Sequence, residues 1–312
     1  MQDSESRQIA VDHAATAISN ESVRAGQYWP PSTLYVVATP IGNLGDMSPR
    51  AIKVLSEVDL IAAEDTRHSS SLCQYFAITT PMFACHEHNE TQAAVQLIER
   101  LAKGQSVALI SDAGTPLISD PGYAIVRRVR EQGYRVSPVP GPCALTSALS
   151  AAGLPTDRFS FEGFLPAKAG QREKRLRGLS QQTGSLIFYE APHRIVASLT
   201  AMVDAFGSDR EAVLARELTK RYETITNGSL TSLLAKVTAD KNQQRGEMVI
   251  IINGLAVTEE QRSEKELAAE QVLMTLLSEL PVKQATGLAV KLTGLKKNYL
   301  YNRAIDLAKD TS

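Results

Sequence analysis

Three times between residues 33 and 151, a short apolar run breaks into a compact loop of Gly, Pro and small polar residues, and a helical pattern follows. The runs are residues 33–38 (TLYVVA), 107–110 (VALI) and 134–139 (YRVSPV), and their loops are residues 39–46, 111–122 and 140–147. A fourth run, residues 59–63, delivers Glu64, Asp65, Thr66, Arg67 and His68 at its end. Ser48 and Pro49 form a helix start, with Ala51, Ile52, Leu55 and Val58 at helical spacing behind them. Further helices are predicted over 91–102, 122–132 and 144–151. Strand–helix alternation of this length dictates a mostly parallel sheet covered on both faces, and such sheets hold ligands at the carboxyl ends of their strands.

The loop at 111–122, S-D-A-G-T-P-L-I-S-D-P-G, is the first place to look for a ligand. It offers backbone donors and acceptors, hydroxyls and carboxylates with little side-chain bulk, and its glycines permit close approach or positive φ. An ordinary tight strand-to-helix connection is the competing reading. No loop matches G-x-G-x-x-G or a Walker sequence ending in Lys-Ser or Lys-Thr, so neither a dinucleotide nor a triphosphate is supported. Compact loops of this composition suit a ligand that combines a cation, an amino acid group and a nucleoside.

A boundary falls near Gly153, Leu154 and Pro155. Beyond it come an aromatic strand at 159–165 and a basic stretch at 168–177 with five positive charges and one negative. A strand at 185–189 ends in Glu190, Ala191, Pro192, His193 and Arg194. Another at 213–215 leads into Arg216, Glu217, Leu218, Thr219 and Lys220, and 248–252 is the last strong strand. A fifth strand is expected around 222–226.

The tail carries three helical stripes: Leu273, Leu276, Leu277 and Leu280; Ala285, Leu288, Ala289 and Leu292; and Leu300, Ala304, Ile305 and Ala308. From Pro281 onward it has six basic and two acidic residues. That pattern fits a nucleic-acid-binding helical module, with a packing or dimerisation element as the alternative. The predicted organisation is an extension at 1–31, α/β domains at 32–152 and 153–254, and a basic helical module at 264–312.

Composition narrows the class. With 312 residues, 43% hydrophobic and 21% charged, the chain is globular. Three cysteines, Cys73, Cys85 and Cys143, form neither a disulfide framework nor a close-spaced metal site. No apolar run approaches bilayer length and the N-terminus lacks a signal pattern, so a soluble, cytoplasmic protein is expected. A net charge of −1 argues against coating nucleic acid non-specifically. His86, Glu87 and His88 lack the spacing of H-E-x-x-H, and no metal is expected. On composition alone, Glu64, Asp65, Arg67 and His68 read equally as a site or a self-satisfied salt-bridge cluster.

Taken together, T-P-I-G-N-L-G-D at 39–46, A-A-E-D-T-R-H at 62–68, the 111–122 loop, P-V-P-G-P-C at 138–143, S-A-A-G-L-P at 150–155, F-E-G-F-L-P-A-K at 161–168, A-R-E-L-T-K at 215–220 and G-E-M-V at 246–249 form a specific set. By these stretches the chain resembles the tetrapyrrole methylase superfamily, and within it the cytidine 2′-O-methyltransferases of small-subunit ribosomal RNA. The resemblance implies two α/β domains with S-adenosylmethionine in the cleft between them, a homodimer, and a 16S ribosomal RNA or small-subunit substrate. Tetrapyrrole-methylating members open with G-x-G-x-G-D, of which only Gly42, Gly45 and Asp46 are echoed here.

By the same likeness, cofactor contacts are expected at Pro40, Gly42, Asp112, Ala113, Gly114, Ser119, Ser147, Gly246, Glu247 and Met248. Substrate orientation and proton acceptance are expected among Asp65, Arg67, His68, Glu190, His193 and Glu217, all at predicted strand ends, with Glu64 structural. RNA contacts are expected at Lys168, Arg172, Lys174, Arg175, Arg194, Lys220, Lys296 and Lys297. Two rivals remain: an enzyme of the same fold that methylates a tetrapyrrole carbon or a protein side chain, and a non-catalytic scaffold that binds RNA through its tail.

Overall fold

A computed structural model describes residues 30–86, 89–256 and 259–310, with side chains left out at 259–265 and 308–310. Residues 1–29 of the N-terminal extension, Glu87, His88 and the side chain of Ala308 therefore lie outside the described residues. The chain divides into two compact units after Gly254.

The first unit holds two five-stranded sheets. Strands β1 (Thr33–Val37), β2 (Leu60–Ala63), β3 (Met82–Ala84), β4 (Val107–Ile110) and β5 (Arg135–Val139) form an all-parallel sheet in the order β3-β2-β4-β1-β5. Helices α1 (Pro49–Glu57), α2 (Thr66–Tyr75), α3 (Glu90–Ala102), α4 (Tyr123–Glu131) and α5 (Ala144–Ala151) follow the strands in turn. Ser48 caps α1 by accepting from the Ala51 amide, with Pro49 behind it, as the sequence predicts.

Successive residues of a strand point to opposite faces, and the cores divide accordingly. Tyr35, Val37, Ile61, Ala63, Ala108 and Ile110 pack with Ala51, Val54 and Leu55 of α1. Leu34, Leu60, Ala62, Val107 and Leu109 pack with Leu97 and Leu101 of α3 and with Ile125 and Val129 of α4. Each fully buried Leu, Ile or Val stabilises by about 1.5–3 kcal/mol relative to exposure. Because α1 leaves β1 toward one face and α4 leaves β4 toward the other, the adjacent strands β1 and β4 form a topological switch point. The loops 39–46 and 111–122 open over that crevice.

Helix α2 and strand β3 escape periodicity. Only Ser69 and Cys73 of α2 are buried, so the helix shows no apolar stripe, and β3 has three residues.

The second sheet contains β6 (Phe159–Phe164), β7 (Ser185–Glu190), β8 (Glu211–Arg216), β9 (Thr224–Ser229) and β10 (Met248–Ile252), in the order β6-β7-β10-β8-β9. Only β6 and β7 run parallel. The fifth strand exists, two residues later than the sequence suggests. Helices α6 (Ala169–Leu179), α7 (Ile195–Phe206) and α8 (Leu230–Ala239) cover one face through a core that includes Leu176, Leu186, Phe188, Leu199, Leu214, Leu233 and Ile250. The opposite face, with Ile187, Val213, Ala215, Val249 and Ile251, packs on Leu145, Ala148 and Leu149 of α5 and on Ile41. The small-residue helix is thus the seam between the two sheets.

The second unit is three helices, α9 (Glu259–Leu277), α10 (Val282–Thr293) and α11 (Lys297–Asp310), around Ala269, Leu273, Ala285, Ala289, Leu300 and Ala304. Gly294, at φ 71°, terminates α10 in the left-handed conformation. The second predicted stripe needs correction: Leu288 and Leu292 are 41% and 68% exposed. Helix α10 turns Ala285, Thr286 and Ala289 to the core instead, letting its backbone approach its neighbours closely. Among the described residues no helix is long and apolar enough to cross a membrane.

Candidate active site

At the carboxyl edge of the first sheet the three loops are knit together by a main-chain pair and by hydroxyls that donate to main-chain carbonyls. Thr39 and Gly114 exchange amide-to-carbonyl hydrogen bonds of 2.8 and 3.0 Å, and the Thr115 hydroxyl donates to the Pro142 carbonyl at 3.0 Å. Within this loop Leu117 (φ 74°) and Ser119 (φ 67°) occupy the left-handed region, a costly conformation for such residues. Gly122 has φ 125°, and a methyl group there would sit 3.1 Å from both Leu109 Cδ2 and Leu117 Cδ1. Glu90 reaches from α3 to accept from the Gly122 and Ala124 amides at 2.6 and 3.2 Å, which satisfies the start of α4.

The second sheet builds its side of the site from three strand ends in register. Met248, at the start of β10, lies opposite both Glu190 at the end of β7 and Arg216 at the end of β8. Directly after β8, Glu217 (φ 53°) and Thr219 (φ 66°) are again left-handed. Glu217 Oε1 accepts from the Glu247 amide at 2.9 Å and from Lys220 Nζ at 3.1 Å, and Lys220 Nζ also donates to Glu247 Oε2 at 2.9 Å. Burial opposes the charge on Glu217, but the Glu247 amide and the Lys220 ammonium outweigh it and hold its pKa below the ordinary value. Burial likewise opposes charge on Lys220, and the two carboxylates raise its pKa in spite of it.

Two glycines make room for this lock. A Cβ at Gly246 would lie 2.4 Å from Glu217 Cγ and Cδ, and one at Gly42 would lie 2.6 Å from Cγ and Cε of Lys220. The lysine stem therefore lies across the 39–46 loop, and the two sheets' loops meet.

Two cavities adjoin at this meeting. The first, about 310 Å³, is mostly apolar and lies among Ile41, Gly114, Ser119, Asp120, Tyr189 and Met248. The second, about 350 Å³, is lined by Pro40, Gly42, His68, Asp112, Lys220 and Glu247, among others. Ile41, Ala113 and Glu247 are walls of both. In the first cavity the Tyr189 hydroxyl accepts from the Leu145 amide at 2.9 Å, tying β7 to the start of α5, and burial pushes the phenol pKa up. Phe161 and Phe164 stand edge-on to its ring.

Carboxylates gather at the ends of β2 and β4. Asp112 Oδ1 accepts from the Asp65 amide at 3.1 Å, and the Asp112 amide donates to Glu64 Oε2 at 3.3 Å. Burial, then neighbouring Asp112 and Asp65, raise the Glu64 pKa against the pull of the Asp112 amide. Asp120 is raised to about 6 by burial and by the charges of Glu64 and Asp112, although a hydrogen bond with Ser111 works the other way.

The expected cofactor positions Ala113, Gly114, Ser119, Glu247 and Met248 line the first cavity, and Pro40, Gly42 and Asp112 line the second. Gly246 serves by making room for Glu217. Ser147 lines neither cavity; Ala144, one helical turn earlier, takes the wall position. The sequence does not single out Asp120, Tyr189 or Phe164 as site residues, although Asp120 sits inside the conspicuous loop and its Ser-Asp pair is the available signal.

Of the expected acid–base residues, His68 lines the second cavity, and its imidazole makes no ion pair among the described residues. Glu190 borders the first cavity, but its side chain is fully buried and committed. It accepts from the Ala191 amide at 2.8 Å and from the Ser198 hydroxyl, and it pairs with Arg194 at 3.2 Å. Asp65 caps α2 through the Arg67 amide and forms a forked pair with the Arg67 side chain, which holds its pKa at about 2. Asp65, Arg67, His193 and Glu217 line neither cavity.

The expected RNA contacts divide sharply. Arg172 is 9% exposed and donates to the Ala167 carbonyl at 3.3 Å, Arg175 pairs with Glu162, and Arg194 is drawn inward by Glu190 and the Leu165 carbonyl. Helix phase explains Arg172: it shares its face with buried Leu176 and Leu179. Lys168 and Lys174 are exposed on or beside α6, as are Lys296 and Lys297 at the start of α11.

Residues 33–234 match the family described as Tetrapyrrole (Corrin/Porphyrin) Methylases, and residues 263–308 match the RsmI C-terminal HTH domain. A protein of Pseudomonas aeruginosa named ribosomal RNA small subunit methyltransferase I is 58% identical over 275 residues, covering 88% of this chain and 96% of its own length. The chain belongs to the ribosomal RNA small subunit methyltransferase I family. An Escherichia coli O157:H7 member of ribosomal RNA small subunit methyltransferase I is 52% identical over 273 residues, covering 88% of this chain and 94% of that one.

Among solved structures, the cobalt precorrin-4 methyltransferase of cobalamin biosynthesis superposes with a TM-score of 0.55 at 14% identity, covering 71% of this chain and 95% of its own. A diphthine synthase superposes at 0.53 with 18% identity, covering 71% and 89%. These distant likenesses establish the shared fold of the two sheets. The family uses S-adenosylmethionine, and the residues present fit it: glycine-permitted loops at a switch point, an apolar cavity, and carboxylates without a cationic partner among the described residues.

Proposed function

We propose that this chain transfers the methyl group of S-adenosylmethionine to the ribose 2′-hydroxyl of a cytidine in the decoding region of 16S ribosomal RNA. The observation that carries the reading is the pair of adjoining cavities. The one beneath the 111–122 loop suits the cofactor's nucleoside, and the one with His68 and Lys220 in its wall offers an imidazole and an ammonium to a ribose and its phosphate.

S-adenosylmethionine supplies an electrophilic methyl carbon on a cationic sulfur. The chain's task is to hold the ribose oxygen in line with that carbon, about 3–3.5 Å away. As the oxygen–carbon bond forms and the carbon–sulfur bond breaks, the hydroxyl proton must leave. His68 is the candidate acceptor, because Glu190, Asp65 and Glu217 are already committed elsewhere. Lys220 stands in the same wall as a phosphate partner, held charged by its two carboxylates.

Lys168 and Lys174, with Lys296 and Lys297 of the helical module, are the candidate contacts to the RNA backbone. In this reading 32–152 and 153–254 are the domains that clasp the cofactor, and the enzyme works as a cytoplasmic homodimer on the small ribosomal subunit. The test is methyl transfer from S-adenosylmethionine to small subunits and to naked 16S RNA, with the modified atom located by mass spectrometry. A methyl on a cytidine 2′-oxygen supports the reading; transfer to a base, to a protein or to nothing overturns it.

A further inference from the structure

We propose that Asp120 is the residue by which the site tells the cationic cofactor from its neutral demethylated product. The inference rests on the reading that S-adenosylmethionine occupies the first cavity. Three carboxylates line that cavity: Asp120, Glu190 and Glu247. Two are neutralised from within the protein, Glu190 by Arg194 and Glu247 by Lys220. Asp120 is different. Among the described residues it has no cationic partner; the Ser111 hydroxyl is its hydrogen-bonding neighbour.

The groups that bear on Asp120 make the deficit larger. Glu64 at the end of β2 and Asp112 at the end of β4 are both acidic, and the Tyr189 phenol on β7, with Cys143 beside it, brings no positive charge. Its immediate neighbour Ser119 is held in the left-handed conformation, at φ 67°, so the backbone is constrained where this carboxylate meets the cavity. A partly buried carboxylate surrounded by like charge is complementary to a ligand carrying net positive charge.

S-adenosylmethionine, with its sulfonium, ammonium and carboxylate, is such a ligand near neutral pH. S-adenosylhomocysteine has lost the sulfonium charge and is net neutral. Without a cation in the cavity Asp120 titrates at about 6, so a cationic ligand draws its proton off and a neutral one has no such hold. The attraction acts on the ground state and opposes methyl loss, so Asp120 serves cofactor exchange and not the transfer step. Product leaves and fresh cofactor enters because one charge has gone from the ligand while the wall has stayed the same.

The test is calorimetric affinity of the full-length protein for S-adenosylmethionine, S-adenosylhomocysteine and sinefungin, whose ammonium stands in place of the methylsulfonium, at pH 5 and pH 7. Both cationic ligands should bind about tenfold more weakly at pH 5, as expected for a carboxylate of pKa near 6 that must ionise to bind, while S-adenosylhomocysteine changes little. In Asp120→Asn the cationic ligands should bind at both pH values at least as weakly as they bind wild type at pH 5, with S-adenosylhomocysteine unaffected. Equal pH dependence for all three ligands on wild type overturns the proposal while leaving the cofactor reading intact, and it does so even if the variant fails to fold. An Asn variant that keeps the wild-type preference also overturns it. If none of the three binds, the cofactor reading falls and takes this one with it.

Discussion

The two sides of the cleft use the same strained backbone but hold it in different ways. Leu117 and Ser119 on one side, and Glu217 and Thr219 on the other, are all left-handed non-glycine residues. The 111–122 loop is held from several elements at once, by the paired main-chain bonds of Thr39 and Gly114 and by side-chain bonds through Thr115, Glu64, Asp112 and Glu90. The 217–220 turn is fixed by charged side chains, one lysine shared between two carboxylates. A clasp anchored on a main-chain pair and spread over several partners survives the loss of any one side chain. A side-chain clasp can be undone by one substitution, so the second side is where the cleft can be loosened selectively.

The strongest way to break the contrast is Glu190→Ala. Removing this fully buried carboxylate leaves Arg194 and Ser198 without their partner, and should cost about 3–5 kcal/mol in chemical denaturation. A variant that unfolds like wild type but has lost methyl transfer would return Glu190 to the acid–base machinery. On the first side, His68→Ala should lower the single-turnover rate by about 10²–10⁴-fold with the denaturation midpoint unchanged. Equal loss of rate and of stability would mean that the imidazole only props the wall.

Gly246→Ala places a methyl where Glu217 now packs and at a backbone φ of 82°, and should cost about 1–3 kcal/mol of stability while loosening Lys220. If Thr39→Val, which removes a hydroxyl but keeps the main-chain pair with Gly114, proves more damaging than Gly246→Ala, the contrast fails. A smaller effect is expected from Lys296→Ala with Lys297→Ala: weaker binding to many RNAs alike, and a salt dependence shallower by about one unit for each phosphate that is no longer neutralised. Smallest is Arg177→Ala, which removes an exposed pair with Glu173 and should leave RNA affinity and its salt slope unchanged.

Much of this arrangement could be read from the chain. Gly and Pro punctuate the strand ends so clearly that the 39–46 and 111–122 loops could be placed at one edge of a parallel sheet. What stayed hidden depends on partners distant in sequence. That Glu190, Met248 and Arg216 lie side by side follows from antiparallel pairing of β10 with β7 and β8, which no local pattern specifies. Whether a carboxylate is free is equally non-local: Asp65 and Asp120 look alike in their motifs, yet one is locked to Arg67 and the other has no cationic partner among the described residues. Arg172 is a different case. Its spacing to Leu176 and Leu179 contained the information, but the run of positive charge around it suggested a surface open to RNA.

The Tyr189 hydroxyl bound to the first turn of α5 has a mechanical consequence. That helix and the sheet it touches share a continuous hydrophobic core through Leu145, Ala148, Leu149, Val213 and Ile251, so parting the halves along this line would expose it to water. The spine of the enzyme is therefore closed to traffic. The Lys220 bridge lies away from that seam, in the wall of the second cavity, so it can be loosened without breaching the core.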